Sequence, residues 1–194
     1  GLMAKKPSET KTKKASYQVG DHVVYPTHGV GIITGEETQE DFIALGHDVF
    51  DYFGLGCRNV THLMLPVGYD FTPLFQCWDE HFDWIRNHNK YANNYEYHRA
   101  LLLMNLDPHI DTGYLIAKEK PELYAPVGML NYSFYDSVDG VAQKLVEWGD
   151  SLQCTVSHLP LINSMNFGST QCTQLYDFAD GVDTLQWLIE NRKA

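Results

Sequence analysis

The chain predicts an α/β fold, a sheet with helices packed on it. Two observations carry this. From about residue 40 onward, short apolar strand-like runs alternate with stretches of three-to-four-residue periodicity. Hydrophobic residues make up 44% of the 194, enough to fill the core of one domain with a small appendage. A third observation limits the class further: no apolar run approaches the roughly 18 residues of a membrane helix.

In chain order, residues 1–16 form a basic leader of Lys, Ser and Thr. Residues 1–20 carry a net +4 and leave −15 for the remainder of a chain at −11. A solvated, flexible segment is the expectation for this composition. With no apolar stretch behind its lysines it is not a secretory signal, and Met3 is taken as the start after Gly1 and Leu2. Residues 17–39 hold two strand-like runs, His22–Tyr25 and Gly31–Thr34. They predict a β-hairpin turning through Pro26–Gly31, with Gly29 and Gly31 supplying the backbone freedom. A lone hairpin is marginal in water, so Val23, Tyr25, Val30 and Ile32 are expected to dock on the next piece.

Residues 40–194 form the α/β piece. Phe42, Leu45, Val49 and Tyr52/Phe53 recur at helical spacing behind the acids Glu40 and Asp41, and Gly54 and Gly56 end that helix. Strands are expected at 61–66, 113–118, 127–134 and 152–157, and helices at 71–86, 95–106, 137–148 and 183–191. The acidic body excludes duplex DNA as the main partner, because phosphate binding needs a basic face.

Four cysteines, Cys57, Cys77, Cys154 and Cys172, lie far apart and form no zinc-ligand spacing. They read as reduced thiols of a cytoplasmic protein. Cys57 stands out, in Gly54-Leu55-Gly56-Cys57-Arg58-Asn59, where glycines let a ligand approach the backbone. The N–H groups of Cys57 and Arg58 are candidates for an oxyanion site, and Arg58 is a candidate to favour the thiolate or meet an acidic group. On local residues alone, a buried structural cysteine beside a tight turn is the commoner reading. His47 and His62 flank Cys57 and are candidate bases, each more often an ordinary core or surface histidine. Tyr91, Tyr95 and Tyr97 fit core or dimer contacts better than an acyl channel, and Asn166-Phe167-Gly168 is a candidate loop near the cysteine. The histidines show no metal-ligand pattern, and no metal is expected.

Three stretches resemble the acyl-CoA reductases related to the fatty-acid reductases of bacterial luminescence, themselves similar to aldehyde dehydrogenases. These are Asp48–Val60, Asn87–Tyr95 and Phe178–Leu185. The resemblance implies that residues 41–194 are a catalytic-domain fragment, that Cys57 is its acyl-accepting nucleophile, and that Arg58 and Asn59 belong to the site. It also implies acyl-CoA as a substrate. NADPH is the family's cofactor, but its domain precedes the cysteine, so no cofactor is expected to bind strongly here.

Residues 17–33, Tyr17 to Ile33, resemble instead the start of a CarD-type transcription regulator. Such regulators have a Tudor-like barrel that binds the β subunit of RNA polymerase. The resemblance spans only about residues 3–39, and that binding is not expected to carry over. Both resemblances break off at residues 39–41, which predicts a recombined or artificial chimera. A folded chimera without a complete function, a homodimer or higher homo-oligomer covering its opened edges, ranks first. Half-reaction acylation of Cys57 ranks second, and polymerase binding last.

Overall fold

The computed structural model of the chain describes residues 28–161, 163–178 and 182–192. The leader, the run His22–Tyr25 and residues 179–181 of the late stretch lie outside the described residues. The architecture is α/β, as the alternating pattern predicts. Seven strands form one sheet: β1 (His28–Ile32), β2 (Val60–Pro66), β3 (Ile110–Asp111), β4 (Ile116–Glu119), β5 (Met129–Tyr135), β6 (Leu152–Ser157) and β7 (Ser164–Met165). Their order is β3-β4-β5-β2-β1-β6-β7, parallel throughout except the β3–β4 pair.

The strand β1 is where the structure departs most from the sequence reading. The expected turn over Pro26–Gly31 is, from His28, a central strand, parallel to β2 on one edge and to β6 on the other. A buried strand needs uninterrupted apolar surface, and Val30, Ile32 and Ile33 supply it with no exposure at all. Gly29 and Gly31 serve proximity, not backbone freedom. A Cβ on Gly31 would sit 2.8 Å from a Leu63 methyl and 3.2 Å from one of Leu45, and one on Gly29 would meet the Arg58 carbonyl at 2.9 Å.

Helices cover both faces. On one, α1 (Gln39–Phe50) and α2 (Thr72–Phe82) pack Phe42, Leu45, Phe50, Trp78 and Phe82 against Leu63 and Leu65. Burying each such side chain is worth about 2 kcal/mol. A capping box starts α1: the Thr38 hydroxyl accepts from the Asp41 N–H at 3.3 Å, and the Asp41 carboxylate accepts from the Thr38 N–H at 2.9 Å. The opposite face carries α4 (Val138–Trp148), whose Val141 joins Val30, Ile32 and Met64. The helix α3 (Asn89–Met104) begins six residues before its expected start, because His88 caps it and accepts from the Tyr91 N–H at 3.3 Å. Its inward residues Tyr91, Tyr95 and Leu102 are too sparse to reveal the first turns by periodicity. The last helix is α5 (Thr184–Glu190). None of the helices among the described residues is long and apolar enough to cross a membrane.

Candidate functional site

The corner between α1 and β2 holds Cys57. After Asp51 the chain turns through Tyr52 (φ 55°, ψ 23°) and Phe53 (φ 60°, ψ 28°), both left-handed, and then Gly54 (φ 67°). Two consecutive aromatic residues in that region cost about 1–2 kcal/mol each. The structure offsets this with contacts. The Phe53 ring stacks on His88 at 3.6 Å between centroids, and Leu55 N–H donates to the Tyr52 carbonyl at 3.1 Å.

Asn59 fixes the corner from beneath and is fully buried. Its Nδ2 donates to the carbonyls of Asp48 (2.9 Å), Val49 (3.3 Å) and Asp51 (2.9 Å), at the end of α1 and just past it. Its Oδ1 accepts from the Gly56 N–H at 2.8 Å. A Cβ on Gly56 would lie 2.9 Å from that same oxygen, so glycine is needed there for space. The Asn59 N–H closes the turn by donating to the Gly56 carbonyl at 3.1 Å. This leaves the N–H groups of the turn's central residues, Cys57 and Arg58, without an acceptor among the described residues. The Cys57 side chain is exposed above them.

Asp48 ties a second loop to this corner. Its buried carboxylate accepts from the Gly168 N–H at 2.7 Å and the Thr170 N–H at 3.0 Å. Burial raises its pKa, and the two amide donors oppose that shift. Arg58 turns into the same loop: Nε donates to the Thr170 carbonyl at 2.5 Å, with Met165 Sδ 3.7 Å from the guanidinium. The expected loop 166–168 thus lies beside the cysteine corner, with Phe167 in the core. An open depression of ≈ 470 Å³ lies next to Gly56, lined by Tyr52, Phe53, Leu55, Gly56 and Gln171. A slightly larger one, ≈ 490 Å³, sits on the α4 face between His28, Tyr124 and Trp148, and does not include the corner.

The remaining candidates separate. His47 pairs with Asp51 at 3.1 Å on the surface. His62 is buried on the α4 face, its ring nitrogens 2.9 Å from the Glu122 carbonyl and 2.8 Å from Ser133 Oγ. Neither is placed as a base for Cys57. Cys154 lies on β6 with its thiol donating to the Arg58 carbonyl at 3.3 Å, and burial pushes its pKa up to about 12. Cys77 is buried, while Cys172 is exposed. Tyr91 and Tyr95 are core residues, and Tyr97 is exposed. Sequence reasoning missed Asp48, although its position three residues after Leu45, on the apolar side of α1, marks an acid that must find partners.

The strand order reverses at β1, between β1 and β6, where open α/β sheets bind dinucleotides at the carboxyl ends of the strands. Here that end is filled by the chain itself. Glu37 accepts from the Thr34 N–H at 2.7 Å and the Gly35 N–H at 2.9 Å, and Asp41 occupies the start of α1. Carboxylates in those positions repel a pyrophosphate, so these residues do not fit a nicotinamide dinucleotide. Cys57 lies at the other end, at the start of β2.

A family described as the CarD-like/TRCF RID domain matches residues 17–68, just over a quarter of the chain. No curated protein matches. The match agrees with the resemblance read from residues 17–33 and runs past the expected break at 39–41, through Cys57, to the end of β2. Within its described part, residues 28–68 form β1, α1 and β2 of a parallel sheet. The acyl-CoA reductase resemblance rests on its three sequence stretches.

Proposed function

We propose that the α/β body is the thiol-bearing part of an acyl-transferring or acyl-reducing protein, in which Cys57 accepts the acyl group of an acyl thioester. One observation carries the reading: an exposed thiol stands on a turn whose two central N–H groups have no acceptor among the described residues and whose backbone is held by buried Asn59. The thiolate attacks the acyl carbonyl, the developing oxyanion meets the N–H groups of Cys57 and Arg58, and the coenzyme thiolate leaves. Asn59 acts by positioning the turn. Arg58 contributes its backbone N–H and, through Thr170, the fixed loop. The test is labelling with a radioactive acyl-CoA. The reading predicts label that survives denaturation, is released by neutral hydroxylamine, and is absent in Cys57→Ser; equal labelling of Cys57→Ser would sink it.

The family match favours a second reading, contact with the β subunit of RNA polymerase through residues 17–68. This is the partner the sequence reading ranks last and the one the comparisons support. Its surface cannot include Val30 or Ile32, which are fully buried in the sheet. Titration of the chain with a purified β-subunit fragment decides it: saturable binding supports this reading, and none at high micromolar concentration removes it.

A further inference from the structure

We infer that Cys57 and Cys172 form a reversible, intramolecular redox pair that closes the acyl-accepting thiol; the inference rests on the acyl-acceptor reading of Cys57. Of the four cysteines, these two are exposed, whereas Cys77 and Cys154 are buried. Their loops touch on both sides of Cys57. On one side, a Cβ built on Gly56 lies 3.6 Å from the Gln171 side-chain amide. On the other, Arg58 Nε donates to the Thr170 carbonyl at 2.5 Å. Cys57 thus lies between Gly56 and Arg58 on one loop and Cys172 follows Thr170 and Gln171 on the other, although Cys57 and Cys172 are 115 positions apart in sequence.

The loop bearing Cys172 is anchored upstream but not at the cysteine. Asp48 and Arg58 hold it through Gly168 and Thr170. Beyond that, Gln171 Nε2 is buried with no hydrogen-bond partner among the described residues, and the Cys172 N–H closes a local turn on the Ser169 carbonyl at 3.0 Å. A disulfide needs Cα atoms about 4.4–6.8 Å apart, so closure requires the Cys172 turn to come within that range of Cys57. The buried pair has no such route. Cys154 is held against the Arg58 carbonyl, and its burial keeps it a thiol.

The oxidant is a low-molecular-weight disulfide. One protein thiolate attacks it, forming a mixed disulfide and expelling one small thiolate. The second protein thiolate then attacks the protein sulfur of that intermediate and expels the other. Two protein thiols become one disulfide, and one small disulfide becomes two thiols. The closed form has no nucleophile at position 57 and cannot take an acyl group.

The full chain is equilibrated with glutathione disulfide and reduced glutathione at several ratios, quenched with acid, and analysed by non-reducing intact mass and peptide mapping. The expected product is a monomer lighter by two hydrogens, with Cys57 and Cys172 in one linked peptide, unable to be acylated until reduced. Cys172→Ser is expected to give only a glutathione adduct at Cys57. Separate glutathione adducts on the two cysteines of the wild-type chain, with no linked peptide at any ratio, overturn the inference. So does a disulfide that joins two chains. Acylation without a linked peptide removes this inference and leaves the acyl-acceptor reading. A linked peptide in a chain that never acylates keeps the pairing and removes that reading.

Discussion

Asn59 is the residue on which the cysteine corner depends most. Its amide supplies the donors for three carbonyls around the end of α1 and the acceptor for Gly56, with the bonds to Asp48 and Val49 buried and those to Asp51 and Gly56 half-buried. Asn59→Ala leaves those groups buried and unmet, at about 1–3 kcal/mol for each that water cannot reach. A loss of about 3 kcal/mol in chemical denaturation is expected, with Cys57 alkylated faster as the turn loosens. An unchanged denaturation midpoint would remove Asn59 from this role. His62 carries a pH prediction. Burial pushes its pKa down to about 4, against 6.5 for the free side chain, so the fold holds it neutral. Its depressed folded pKa makes the stabilisation complete above pH 6.5 and lost as pH falls through about 4. The limiting size is about 3 kcal/mol. Stability of the wild type is expected to fall over that window more steeply than that of His62→Gln, as read from urea midpoints at several pH values. Of the candidate-site residues, Cys57 was singled out in sequence by its glycines. Asp48, Thr170 and Gln171 were not, because they reach the corner from distant sequence or from inside a helix that reads as ordinary.

At the scale of elements, close approach decides what periodicity only outlines. Gly46 lies where α1 crosses α2, and a Cβ there would enter the Phe82 ring. Gly46→Ala therefore loses more in overpacking than the roughly 1 kcal/mol it gains in helix propensity. A net destabilisation of about 1–3 kcal/mol is expected in thermal unfolding; a stabilised variant would show that the two helices can separate freely. Strongly patterned elements were legible: β6 over Leu152–Ser157 and α4 over Val138–Trp148 lie where their apolar runs and the Ser137 cap put them. The strand β1 was misread because Pro26, Gly29 and Gly31 look like turn residues in sequence. In the sheet, the two glycines make room for Arg58, Leu63 and Leu45. The two-residue strands β3 and β7 are too short to leave a pattern.

For the whole molecule, the alternation of strands and helices gave the class, but strand order depends on long-range pairing that no local pattern encodes. The sheet joins the part matched to the CarD-like domain and the rest into one core, with β1 between β2 and β6. Apolar surface remains at the C-terminal end, where Leu175, Leu185, Leu188 and Ile189 are all more than half exposed. Exposed surface of this kind favours self-association, as proposed for an opened domain. Light scattering is expected to show a dimer that Leu185→Glu with Leu188→Glu converts to monomer; a monomeric wild type at high micromolar concentration would contradict this. The central claim concerns Cys57, and intact-mass spectrometry after incubation with a long-chain acyl-CoA tests it most directly. One added acyl group is expected on the wild-type chain and none on Cys57→Ser. No adduct, while a small alkylating reagent still modifies Cys57, would contradict it.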